Sequence, residues 1–114
     1  MSIETRNEAA ATIVTLFGNL EGSRSSQFND YIDRVFEDQP KRVVVDLSQV
    51  DYMASTGLAL LVSAFNRAGK RNIVLVFAGP PRSVSETLSI TKLDSFLPIF
   101  ESVGDAISEP QMEL

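Results

Sequence analysis

Two runs of consecutive apolar residues divide this chain. They are Val43-Val44-Val45 and the six residues from Ile73 to Ala78. Uninterrupted runs rich in β-branched residues are typical of strands buried on both faces of a sheet. Between them the apolar spacing is helical, with residues at i, i+3, i+4 and i+7, namely Leu58, Leu61, Val62 and Phe65. A strand, a helix and a second strand in this order predict a right-handed parallel crossover.

The segments on either side complete an α/β pattern. Strands are predicted at residues 3–5 and 12–17, joined as a hairpin near Asn7 and Glu8, with residues 9–11 interpreted as either turn or strand lead-in. Residues 18–23 are predicted to form a loop. A helix is predicted over residues 23–38, capped by Ser23 or Ser25 and stopped by Pro40.

The C-terminal third predicts a further helix, a strand and a last helix. The helix covers residues 82–91, and Pro98 confines the apolar segment within residues 93–100 to an edge strand. Residues 102–105 resemble a capping box for the last helix, and residues 109–114 are expected to be frayed. The element order β-β-α-β-α-β-α-β-α predicts one α/β domain over residues 1–114. It has a small mixed sheet of about five strands and about four helices packed largely on one side.

The stretch between the first buried strand and its helix carries the candidate chemistry. Asp46-Leu47-Ser48 is predicted to end the strand, and Ala54-Ser55-Thr56-Gly57 stands where the helix begins. Unpaired amides and the positive dipole end of a first turn stabilise an added phosphate. The competing interpretation is that Ser55 or Thr56 caps the helix, a role worth about 1 kcal/mol.

Two neighbours of these hydroxyls are predicted to help a partner bind. Gly57 removes a side chain where a partner's active site would have to approach closely. Leu60 falls with Thr56, Ser63 and Arg67 on the helix face opposite the apolar stripe. We therefore expect Leu60 to be exposed and to contact a partner.

Composition excludes several classes of function. The chain has 114 residues, no cysteine and no histidine, which excludes disulfides, thiolate zinc sites and histidine-based catalytic pairs. Its net charge of −5 argues against direct nucleic-acid binding. The longest apolar runs are too short to span a bilayer, and the N-terminus lacks a signal-peptide pattern. We expect a cytoplasmic protein without a metal site or cofactor and without membrane insertion.

The segment D-L-S-Q-V-D-Y-M-A-S-T-G-L-A-L-L resembles the signature of STAS-domain proteins, specifically the bacterial anti-sigma factor antagonists. The resemblance implies that Ser55 is phosphorylated by an anti-sigma factor that is also a serine kinase, with Thr56 a possible second acceptor. It also implies a serine phosphatase that restores Ser55, and partner contacts at Glu21, which matches an aspartate of the family's Gly-x-Leu-Asp loop. One departure is Ala54, which stands where the family usually has an acidic residue.

Two other functions stay open beside this one. A constitutive STAS subunit of a lipid-transport ATPase or of a stress-signalling scaffold would use the same surface without phosphorylation. A small enzyme would need a catalytic pair, for which Asp46 and Asp51 are the candidates. These two carboxylates are more simply interpreted as acceptors of turn hydrogen bonds, so an enzyme is the least favoured function.

Overall fold

Five strands form one sheet in sequence order in a computed structural model that describes residues 2–108. β1 is antiparallel to β2, and the later neighbouring pairs are parallel. Two 3-10 turns, Gly22–Arg24 and Leu93–Ser95, join the elements. The strands are β1 (Ser2–Glu8), β2 (Ala11–Leu20), β3 (Arg42–Met53), β4 (Val74–Ala78) and β5 (Ile99–Phe100), and the helices are α1 (Ser25–Glu37), α2 (Ser55–Lys70), α3 (Arg82–Ile90) and α4 (Val103–Ser108).

The helices lie unequally on the two faces of the sheet. Successive residues of β3 alternate between two apolar clusters, with Val43 and Val45 in the larger and Val44 in the smaller. α1, α2 and α3 contribute to the larger cluster, whereas α4 contributes Ala106 to the smaller. Both faces of the central strands are therefore buried, as their uninterrupted apolar runs predicted. The predicted α/β class, with a mixed sheet and helices largely on one side, is confirmed.

One prediction in the N-terminal third, the cap of α1, is wrong. The hairpin turn lies at Ala9 and Ala10, within the stretch interpreted as turn or strand lead-in, after a β1 that extends to Glu8. Neither Ser23 nor Ser25 caps α1, whose cap residue is Arg24 without a side-chain cap bond. The preceding 3-10 turn leads directly into α1, with the carbonyls of Glu21 and Gly22 accepting the amides of Arg24 and Ser25.

Asp46-Leu47-Ser48 does not end β3, which was predicted to stop there. The strand runs on to Met53, and the pairing with β2 shifts between Thr15 and Phe17 and again between Gly18 and Asn19. Each shift inserts one extra residue into β3, as in a β-bulge. The pairing of β3 with β4 stops at Asp46. Beyond that residue β3 pairs, among the described strands, with the end of β2 alone, and this two-stranded extension leads into α2.

The C-terminal elements follow the prediction closely. The Ser102 hydroxyl accepts the Asp105 amide at 3.0 Å, which confirms the predicted cap of the last helix. The edge strand is reduced to Ile99–Phe100 after Pro98. The predicted fraying of residues 109–114 lies outside the described residues. Within residues 2–108, none of the helices has the length and apolarity needed to cross a membrane.

The β1–β2 turn contains a strained residue. Ala9 has φ 53°, a left-handed conformation that costs a residue with a Cβ atom but not glycine. We expect Ala9→Gly to raise the free energy of unfolding by about 0.5–1 kcal/mol, because the relief of strain outweighs the added flexibility of the unfolded chain. Denaturant unfolding measures this change.

The matched control is Ala10→Gly, since Ala10 lies in the same turn without a positive φ. It should leave stability unchanged or lower it. Stabilisation by both substitutions, or by neither, would contradict the assignment of strain to Ala9.

Candidate functional site

The first turn of α2 is fixed to the end of β2 by the backbone of Ala54. This residue is extended, with φ −77° and ψ 163°, and its amide donates to the Leu20 carbonyl at 3.0 Å. The Ala54 carbonyl accepts the amides of Gly57 at 2.8 Å and Leu58 at 3.1 Å. Ala54 is therefore the cap residue of α2, and Ser55 is the first residue inside the helix.

Ser55 presents a free hydroxyl to solvent. Its side chain is exposed, does not cap the helix, and makes no hydrogen bond within residues 2–108. In the same part of the chain, the backbone amides of Ser55 and Thr56 have no acceptor. The interpretation of Ser55 as an N-cap is wrong, because Ala54 holds the cap position. A phosphate on Ser55 would stand beside two unpaired donors at the positive end of the helix dipole.

Thr56 has a different role from Ser55. Its Oγ1 accepts the backbone amide of Gly22 at 2.8 Å, which links α2 to the 3-10 turn before α1. The two residues are in close contact, since a Cβ atom on Gly22 would lie 2.8 Å from the Cβ of Thr56. Thr56 is exposed but does not cap α2. Of the two hydroxyls, that of Ser55 makes no hydrogen bond within residues 2–108, whereas that of Thr56 does.

Gly57 faces the protein interior, so the reason given for it from the sequence is wrong. A Cβ atom at this position would lie 2.3 Å from the Leu20 carbonyl oxygen. The same oxygen accepts the Ala54 amide. The glycine therefore lets the helix backbone approach the end of β2, and it does not face a partner.

Leu60 was predicted to be exposed, and it is buried, with 6% of its surface accessible. The helix face that carries it is covered by α1 and the 3-10 turn before it. Thr56 contacts Gly22 at one end of this face, and the Arg67 guanidinium binds Asn29 and Asp33 of α1 at the other. Leu60 packs into the main core between these contacts, so it is not available to contact a partner.

Glu21 lies next to Gly22 and therefore close to Thr56. It is half-buried, its carboxylate accepts the Ser23 hydroxyl at 3.2 Å, and its carbonyl accepts the Arg24 amide at 2.9 Å. Glu21 is thus linked to the first turn of α2 through its neighbour Gly22, whose amide binds Thr56.

Tyr52 is an exposed aromatic residue near the end of β3, shortly before α2, that the sequence reasoning missed. It is 58% exposed, pairs with Asn19 across the strands, and precedes Ser55 by three positions. The signal that could have found it is the spacing of the buried residues Leu47, Val50 and Met53, which leaves Asp51 and Tyr52 facing solvent. Exposed tyrosines are frequent at the centres of protein interfaces.

The two carboxylates considered for catalysis are not paired. Asp46 is buried in β3, where it accepts the Ser48 amide at 3.0 Å and the Thr15 hydroxyl at 3.3 Å. This agrees with the interpretation of Asp46 as a local hydrogen-bond acceptor. Asp51 is exposed farther along the same strand. Among residues 2–108 no cluster of acidic side chains is arranged to hold a metal ion.

The chain belongs to the STAS domain family, whose profile matches residues 1–106. Solved structures with this fold include an anti-sigma factor antagonist from Mycobacterium paratuberculosis, at a TM-score of 0.84 and 21% identity, covering 94% of this chain and 91% of that one. A sulfate transporter family protein from Wolinella succinogenes matches at a TM-score of 0.76 and 18% identity, covering 89% of this chain and 84% of that one.

The Bacillus anti-sigma factor antagonist SpoIIAA is similar in both of its solved forms. The unphosphorylated form matches at a TM-score of 0.74 and 14% identity, covering 93% of each chain. The phosphorylated form matches at a TM-score of 0.68 and 13% identity, covering 93% of this chain and 96% of that one. At these identities the likeness concerns the fold.

Close approach at Gly57 leads to a stability prediction. We expect Gly57→Ala to lower the free energy of unfolding by about 2 kcal/mol or more, because the new methyl group must push the first turn of α2 away from the Leu20 carbonyl. The measurement is denaturant unfolding followed by circular dichroism.

Gly69→Ala in the same helix is the matched control, since a Cβ atom there would meet no other atom within 4 Å. It should stabilise the protein by about 0.5–1 kcal/mol through helix propensity. Equal effects of the two substitutions would contradict the proposed contact between α2 and β2.

Proposed function

We propose that this protein is an anti-sigma factor antagonist controlled by phosphorylation of Ser55. Unphosphorylated, it binds an anti-sigma factor that is also a serine kinase, and a sigma factor is thereby released. Phosphorylation of Ser55 breaks the complex, and a serine phosphatase restores the binding form. The protein acts in the cytoplasm and is a substrate of its partners, not an enzyme.

The observation that carries this proposal is the free, exposed hydroxyl of Ser55 at the first position of α2. A phosphoacceptor must reach the γ-phosphate of ATP inside another protein's active site, and a hydroxyl held by internal hydrogen bonds would have to be released first. Thr56 is less suited to this role, because its Oγ1 holds the Gly22 amide. Membership of the STAS family, and similar structures of phosphorylated and unphosphorylated antagonists, support the same assignment.

The transfer itself needs only the hydroxyl from this protein. Ser55 Oγ attacks the γ-phosphorus of ATP, the bond to the β–γ bridging oxygen breaks, and ADP leaves while the serine proton passes to a base of the kinase. Nucleotide and metal ion both belong to the partner. The phosphatase returns Ser55 and inorganic phosphate by hydrolysis.

The proposed partner surface contains Ser55, Thr56, Glu21 and Tyr52. Phosphate adds about 1.5 to 2 negative charges to it. Glu21 already makes this surface acidic. In a closely packed complex the dianion would lose its water and meet a surface selected for an uncharged serine, and both effects weaken binding. The unpaired first-turn amides let the free protein accept the same charge without strain.

A constitutive STAS binding subunit, for a lipid-transport ATPase or a stress-signalling scaffold, is the second candidate. Two observations favour it: the STAS fold is shared with a sulfate transporter family protein, and Ala54 replaces the acidic residue usual before the phosphorylated serine. In this function Ser55 would remain unmodified, and the same surface would stay bound to its partner.

Phosphosite mapping distinguishes the two functions. We expect incubation with ATP and the serine kinases encoded beside this protein to add one phosphate, at Ser55. Ser55→Ala should abolish the modification, and Thr56→Val should retain it. Absence of phosphate on Ser55 with every such kinase, together with its absence from protein isolated from native cells, would contradict the switch.

A second experiment separates binding from folding. We expect Ser55→Glu to raise the dissociation constant of the complex with the kinase by about a hundredfold or more. The reason is that the substitution places a charge in a desolvated contact. Its own free energy of unfolding should change by less than about 1 kcal/mol, because an acidic residue suits the first turn of a helix.

The matched control is Ser83→Glu, which puts the same charge on an exposed serine in the first turn of α3. It should leave partner binding unchanged. Equal binding by wild type and Ser55→Glu would favour the constitutive function.

A further inference from the structure

Within residues 2–108, β1 is an edge of the sheet that pairs with β2 on one side only. Six of its seven residues are exposed. Such a strand presents a row of unpaired main-chain donors and acceptors to any second strand that can align with it. Its sequence, Ser-Ile-Glu-Thr-Arg-Asn-Glu, contains no proline and no bulge that would prevent this pairing.

The hairpin register determines which groups of β1 are free. Glu8 pairs with Ala11 across the two-residue turn, and the residues that flank such a turn exchange hydrogen bonds with each other. Bonding then alternates along the strand, so that Glu8, Arg6 and Glu4 direct their main-chain groups to β2. Ile3, Thr5 and Asn7 direct theirs away from the sheet.

We propose that a second copy of this chain pairs with β1 in antiparallel orientation, with the two-fold axis at Thr5. This register places Thr5 opposite Thr5 and Ile3 opposite Asn7, so every outward main-chain group meets an outward group of the other copy. All seven residues of the strand take part, with Ser2 opposite Glu8. The two five-stranded sheets then form one continuous sheet.

The charges of β1 select this register over its neighbours. With the axis at Thr5, Glu4 of each copy lies opposite Arg6 of the other, and these two residues share one face of the strand. An axis at Glu4 would place Glu4 opposite Glu4. An axis at Arg6 would place Arg6 opposite Arg6 and Glu4 opposite Glu8. Like charges directly opposite each other are destabilising.

Both members of the proposed pair are available. Glu4 is exposed, and its carboxylate has no hydrogen-bond or ion-pair partner within residues 2–108. The Arg6 side chain is 51% exposed although it contacts Glu8 at 3.2 Å and Thr15 at 3.4 Å. A guanidinium carries five N–H donors, so Arg6 can bind a further carboxylate. Ser55 does not lie in this strand, and the proposed dimer does not depend on the phosphorylation switch.

Sedimentation equilibrium of the full chain tests the dimer through a charge exchange. We expect wild type to dimerise, and Glu4→Arg to raise the dissociation constant by about tenfold or more, because two attractive pairs become repulsive. Arg6→Glu should weaken the dimer similarly, and the double variant Glu4→Arg/Arg6→Glu should restore it. An equimolar mixture of the two single variants should form a heterodimer, since each unlike pair is again attractive.

Circular dichroism melts establish that each variant is folded. Glu4→Arg alone keeps the proposal testable if Arg6→Glu does not fold, because the Glu4 side chain makes no hydrogen bond or ion pair within residues 2–108. The proposal is overturned by a wild-type protein that stays monomeric at the highest attainable concentration. It is equally overturned by a dimer that Glu4→Arg leaves intact, or by a folded double variant that stays dissociated.

Discussion

The Leu20 carbonyl at the end of β2 is the contact on which the geometry of the site depends. It accepts the Ala54 amide at 3.0 Å, and the absence of a side chain on Gly57 lets the first turn of α2 pack against it. A helix start fixed in this way by backbone needs no serine or threonine cap. Ser55 therefore does not cap the helix and faces solvent, while Thr56 accepts a hydrogen bond from the neighbouring 3-10 turn. The chemistry of the surface follows from this division.

The bulges in β3 explain why Leu20 meets α2 at all. Two extra residues in β3 shift its pairing with β2, and the strand continues to Met53 after it has left β4. The extension carries the start of α2 beyond the main sheet, with Tyr52 exposed on it. This position favours the proposed phosphorylation of Ser55, since the surrounding sheet does not obstruct a partner's approach to it.

Much of the fold was predictable, because its strongest signals are local. The apolar runs at Val43 and Ile73 identified the buried strands, and the Ser102 cap identified the last helix. The bulges were not predictable, since burial at Leu47, Val50 and Met53 matches no strand period. Leu60 was misplaced because helix periodicity assumes one buried face, whereas α2 packs against both the sheet and α1. Ser55 itself was located by resemblance, since capping is the commoner use of a helix-start serine.

The proposed switch requires that α2 carry a phosphate on Ser55 without moving from β2. The most direct test is a comparison of amide NMR spectra of the unmodified and Ser55-phosphorylated protein. We expect large shifts for the amides of Ser55 and Thr56, and little change for those of Gly22 and Ala54, whose hydrogen bonds persist. Loss of the Gly22 and Ala54 hydrogen bonds, or shifts spread through α2 and the core, would contradict it.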